Sequence, residues 1–123
     1  MAFTTQFDVE EDTSYRLSMS WTDQNDTPVA LADVANLTLT LYDVRSGIII
    51  NERGNQDILN VNDVTYHATS GLLIWAIQRE DMQSLGNTSV ERHRALFHLV
   101  LVDGASAYKE IDFLVRNLIT VPA

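Results

Sequence analysis

Glu91-Arg92-His93-Arg94-Ala95-Leu96-Phe97-His98-Leu99-Val100-Leu101-Val102-Asp103-Gly104 is the stretch whose reading decides the fold. His93, Ala95, Phe97, Leu99 and Leu101 fall on one side of an extended chain. Arg92, Arg94, Leu96, His98, Val100 and Val102 fall on the other. A period of two over this length specifies a long β-strand, because successive side chains of a strand point to opposite faces. Asp103-Gly104 is the strongest short hairpin signal in the chain. The return strand, Tyr108 to Val115, sets Lys109, Ile111, Phe113 and Val115 against Tyr108, Glu110, Asp112 and Leu114.

The same period recurs upstream. Tyr15, Leu17, Met19 and Trp21 alternate with Ser14, Arg16, Ser18 and Ser20, and Leu37, Leu39 and Leu41 alternate with Asn36, Thr38 and Thr40. Asp43-Val44-Arg45-Ser46-Gly47 is turn chemistry leading into Ile48-Ile49-Ile50, so residues 36–50 are predicted to form a β-hairpin. Asp63 to Thr69 is a weaker strand. Leu72-Leu73-Ile74-Trp75-Ala76-Ile77 is apolar enough to be buried on both faces. Gln78 to Gly86 alone looks helical, with Met82 and Leu85 three apart and a glycine stop. Asn117 to Val121 continues or caps the last strand. Roughly seven or eight strands and one short connecting helix predict an all-β, antiparallel sandwich or barrel rather than βαβ units.

Composition bounds the function. The 123 residues make one domain, 1–123, with an N-terminal arm at 1–12. Seventeen acidic against eight basic residues give a formal charge of -9, the wrong sign for a phosphate backbone or an anionic membrane. We therefore expect neither nucleic acid nor membrane as partner. The absence of cysteine removes disulfides, thiol catalysis and cysteine-bound zinc. The N-terminus carries no signal-like basic and apolar regions, and no apolar run approaches the roughly 20 residues of a membrane helix.

Chemistry is sparse. His93 and His98 are five apart on one strand, so they point to opposite faces and do not share a metal; His67 lies on another segment. No metal and no cofactor is expected. Asp8, Glu10, Glu11 and Asp12, and likewise Asp23 to Asp26, lack the glycine and late glutamate of a calcium loop and read as solvated acidic loops. Glu110 and Asp112 share a strand face about 7 Å apart, as an acid–base pair would, but also as an exposed sheet face does. No Gly-x-Ser-x-Gly elbow and no phosphate loop is present, so no enzyme activity is expected. Trp21 and Trp75 read as core, whereas Tyr42 and Tyr66 are freer to stack on a sugar.

The order of features carries a resemblance. Trp21 runs into Asp26-Thr27-Pro28-Val29-Ala30-Leu31, then Leu37-Thr38-Leu39-Thr40-Leu41-Tyr42, then Gly47-Ile48-Ile49. Ser70 to Ile77 precedes a short segment with Asp81 and Leu85, and the chain closes on Arg94 to Gly104 and Ile111 to Val115. This resembles small immunoglobulin-like virion proteins of tailed bacteriophages, including the N-terminal domain of upper baseplate proteins. The resemblance spans nearly the whole chain except Phe3 to Asp12 and Gly86 to Val90. It implies an immunoglobulin-like β-sandwich and a non-enzymatic structural role in tail, baseplate, fibre adaptor or neck. Such a protein is made in the bacterial cytoplasm and docks on other phage structural proteins as a homo-oligomer or in many copies. The assembly contacts expected are Phe3 and Phe7 in the arm and Leu118, Ile119 and Val121 at the other end, although both segments read equally well as edge strands of the same sandwich. Rival readings are a capsid decoration protein of this fold and a carbohydrate-binding module.

Overall fold

A computed structural model describes residues 4–10, 15–23, 25–86 and 89–116. Eight strands fall in chain order: β1 (Thr4–Glu10), β2 (Tyr15–Ser20), β3 (Val34–Asp43), β4 (Gln56–Asp57), β5 (Val64–Tyr66), β6 (Leu72–Ile77), β7 (Val90–Leu101) and β8 (Ser106–Arg116). They build two sheets, one in the order β1-β8-β7-β3-β4 and one in the order β2-β6-β5. The three-stranded sheet with β8-β7-β3-β4 opposite it reproduces the B-E-D and G-F-C-C′ arrangement of an immunoglobulin-like β-sandwich. Among the described residues the one departure from antiparallel order is β1, which runs parallel to β8 from Thr4↔Glu110 to Glu10↔Arg116.

The long hairpin forms as its alternation requires. β7 pairs with β8 from Val90↔Arg116 to Val100↔Ser106, and Gly104 takes φ +93° in the turn. Along β7, Glu91, His93, Ala95, Phe97 and Leu99 are buried and Arg92 is exposed. Leu37, Leu39 and Leu41 of β3 and Phe113 and Val115 of β8 complete that inner face. Trp75 faces it from β6, with its ring edge-on to Phe97 (centroids 5.6 Å apart, 74°) and Phe113 (6.0 Å, 73°). Without cysteine to bridge the sheets, this aromatic trio joins them through buried area and favourable edge contacts. β6 is buried on one face, at Leu73, Trp75 and Ile77, and half-buried on the other rather than covered on both.

Three expectations change. The 36–50 hairpin contracts to one bridge, Tyr42↔Ile49, and the strand that pairs β3 at this edge is the later Gln56–Asp57. Asn51 and Glu52 adopt left-handed backbone (φ 52° and 57°) and turn the chain inward so that Arg53 enters the core. The helix over 78–86 is a single 3-10 turn, Arg79–Met82. There Asp81 accepts the Gln78 N–H at 2.8 Å while its other oxygen is held by Arg53, and the backbone is extended again at Gln83. A second 3-10 turn, Leu31–Asp33, precedes β3. Tyr66, read as free, is buried, and its hydroxyl donates to the Val29 carbonyl at 2.7 Å.

Candidate functional site

Arg53 is the most heavily bonded side chain of the interior. Its Nε donates to Asp81 Oδ1 (2.5 Å) and its Nη2 to Asp81 Oδ2 (3.2 Å) and Asp63 Oδ2 (2.9 Å). Nη1 donates to Gln56 Oε1 (2.7 Å) and the Asn62 carbonyl (3.0 Å), and the guanidinium lies 5.8 Å from the Trp75 ring centroid. With its donors occupied, the buried cation is a structural clamp on the 51–63 loop rather than a group held ready for a ligand.

The outward face of the larger sheet carries the paired carboxylates. Asp112 is not the exposed residue that its alternation implies: it is 2% exposed and gripped by Arg94 through Nε–Oδ1 (2.7 Å) and Nη2–Oδ2 (3.1 Å). Register explains it, because Arg94 stands directly opposite Asp112. The bond to Asp112 raises the Arg94 pKa further above its ordinary value, against a smaller lowering by burial. Glu110 reaches the same guanidinium at 3.9 Å. The guanidinium occupies the space between the two carboxylates that a substrate of a hydrolytic pair would have to enter. Beyond them His98 and Tyr108, also opposite in register, stack at 4.1 Å and 5°.

At the end of the sandwich holding the β2–β3 and β7–β8 connections lies a hollow of about 760 Å³. Trp21, Val29, Leu99, Leu101 and Ala107 line it, with Asp23, Asp33 and Asp103 exposed around them. Trp21 itself is 2% exposed, and Trp75 is fully buried, so neither offers the open platform that sugar stacking needs. Lys109 reaches across the Trp21 ring at 4.9 Å and donates to the Ser20 carbonyl, and burial lowers its pKa.

A third group lies inside the opposite end. His93 faces Glu91 and Asp43, with Nε2 2.9 Å from Glu91 Oε1 and 3.8 Å from Asp43 Oδ1, and all three are buried. His93 and His98 do point to opposite faces of β7, and the partners of His93 are carboxylates rather than another histidine. The available signal was Glu91-x-His93 on the inward face of one strand, with Asp43 coming from the far end of a leucine-alternating strand. What no local pattern supplied was the register Asp43↔His93 that closes the group.

Of the assembly contacts expected from sequence, Phe7 lies in β1 in register with Phe113. Phe3, Leu118, Ile119 and Val121 lie outside the described residues, as does the continuation over 117–121. Among the described residues, most of the exposed large apolar side chains lie toward the ends of the larger sheet, with Tyr15 and Val61 elsewhere. Val44, Ile48, Ile49 and Val90 lie where β3 ends and β7 begins, and Val102 (66% exposed) lies at the β7–β8 turn.

Comparison with known proteins adds little to this geometry. No protein-family model matches the chain, and no curated protein matches it. Among solved structures it is similar to the first immunoglobulin-like domain of the human CD48 antigen. That match has 14% identity and a TM-score of 0.39, over 97% of this chain and 87% of that one. The fold therefore rests on the strand order itself.

Proposed function

We propose that this chain is a non-enzymatic structural protein of a tailed-phage virion, acting by docking and oligomeric assembly in the tail, baseplate, fibre adaptor or neck. The observation that carries the reading is β1: seven residues added in parallel to β8, with no strand on the other side among the described residues. A strand at a sheet margin presents unpaired N–H and C=O groups, to which a neighbour's extended segment adds by main-chain bonding. Exposed apolar side chains at both ends of that sheet supply contact area beyond the strand edge. The phage setting rests on the resemblance of strand and turn order from Trp21 to Val115. The charge of -9 suits subunits that stay apart until they meet their particle.

The experiment is protein identification by mass spectrometry in purified particles of a phage encoding this chain. The chain should be present in many copies per particle. Abundance in the infected-cell lysate with absence from washed particles overturns the reading.

A further inference from the structure

We propose that Asp43, Glu91 and His93 form an internal structural site for one divalent first-row transition cation, with Zn2+ as the representative ion. Their candidate ligand atoms all lie within 4.8 Å of one another. Two donors each about 2.0–2.2 Å from one zinc ion are roughly 3 to 4 Å apart at angles from 90° to 140°. The His93 Nε2 separations of 2.9 Å and 3.8 Å from the two carboxylates fall at or inside that span. An imidazole nitrogen with two carboxylate oxygens suits zinc and its first-row neighbours better than calcium or magnesium, which take oxygen alone.

The carboxylates are aimed by bonds of their own. Asp43 Oδ2 accepts from the Ser46 N–H (2.9 Å) and Oγ (2.6 Å), which turns Oδ1 toward His93. Glu91 Oε2 accepts from Ser84 Oγ (3.1 Å), and Oε1 accepts from the Leu85 N–H (2.8 Å). Outer bonds of this kind fix ligand orientation in metal centres. His93 supplies a second, independent observation. It is fully buried and its Nε2 points at both carboxylates, away from the solvent that an unligated imidazole would otherwise meet. With a cation on Nε2, Nδ1 carries the ring proton, and the two carboxylate charges are balanced by the ion. The ion ties the end of β3 to the start of β7 and, through Glu91, to the Ser84–Leu85 segment. In a chain without cysteine this is a cross-link at one end of the sandwich.

Because the site is internal, loading accompanies folding. The full chain is unfolded in denaturant with chelator, refolded with and without Zn2+, and passed through a desalting column. The bound metal is then counted, and Co2+ is substituted to read its visible ligand-field bands. We expect one Zn2+ per chain, a higher unfolding midpoint for the loaded form, and a Co2+ spectrum of a low-coordinate nitrogen–oxygen site. His93→Gln abolishes all three, Asp43→Asn weakens binding at least tenfold, and His67→Gln with His98→Gln leaves one ion bound. Should His93→Gln fail to fold, Asp43→Asn, which retains an acceptor for Ser46, carries the comparison. Zero metal in the refolded wild-type chain overturns the proposal. So does an ion that survives both site variants or is lost with His67 and His98.

Discussion

Gly71 shows how one atom constrains this sandwich. Its φ is +70°, and a Cβ there would lie 2.4 Å from the Trp21 carbonyl oxygen and 3.1 Å from the Val29 nitrogen. The same two segments bond through Trp21 N–H to the Gly71 carbonyl (2.9 Å) and Val29 N–H to the Trp21 carbonyl (3.0 Å), so neither can retreat. Gly71→Ala should cost about 2 to 5 kcal/mol in denaturant unfolding, from left-handed strain plus overpacking. A loss below about 0.5 kcal/mol would show that the segments separate freely. Tyr66 makes a prediction in pH. Burial raises its pKa from 10.0 to about 12. The folded state thus keeps the proton that the unfolded chain surrenders, and its contribution is complete below pH 10 and lost as pH climbs from 10 to about 12. Tyr66→Phe should flatten that part of the alkaline stability profile, and an unchanged slope would place the titration elsewhere.

Among the elements, the 51–63 loop depends most on a partner distant in sequence. Asn51, Glu52, Asn55, Asn60, Asn62 and Asp63 all have positive φ, a run that local preference alone does not hold. Arg53 holds it by binding Asp81 from the 3-10 turn and Asp63 and Gln56 from the loop itself. Arg53→Ala should destabilise the protein by about 3 to 5 kcal/mol, because Asp81 is left buried and unpaired. Pairing it with Asp81→Leu should recover much of that loss, since the stranded charge goes too. A double variant no better than the single one would mean that the arginine acts through packing over Trp75 instead. The asparagines announced a loop, but the arginine's destination was not readable, because its partner lies 28 residues away. Ile48-Ile49-Ile50 keeps only part of the expected hairpin, one bridge with the Asp43 N–H to Ile48 carbonyl and Ile50 N–H to Leu41 carbonyl bonds. Three β-branched residues favour extended chain, yet the inward turn at Asn51 that serves Arg53 sends the pairing to Gln56–Asp57.

For the whole molecule, charge and edges oppose each other. At -9, free subunits repel, while the open margin of β1 and the apolar ends of the larger sheet favour contact. Light scattering across a concentration series should therefore show association that strengthens as salt is raised from about 0.05 M to 0.5 M, where repulsion is screened within a few ångströms. A chain monomeric throughout would count against docking between its own copies. The sequence by itself determined strands β2, β3, β5, β6, β7 and β8, the β7–β8 hairpin, the alternating faces of β7 and the core positions of Trp21 and Trp75. Period-two alternation and the Asp103-Gly104 turn act between near neighbours and are written locally. Only the tertiary structure decided the parallel addition of β1, the burial of Asp112 and Tyr66, the Arg53 clamp and the meeting of Asp43 with Glu91 and His93. Each of these depends on groups that meet only when strands and loops are packed together, and the register that brings them opposite one another is set by how the two sheets bury their faces.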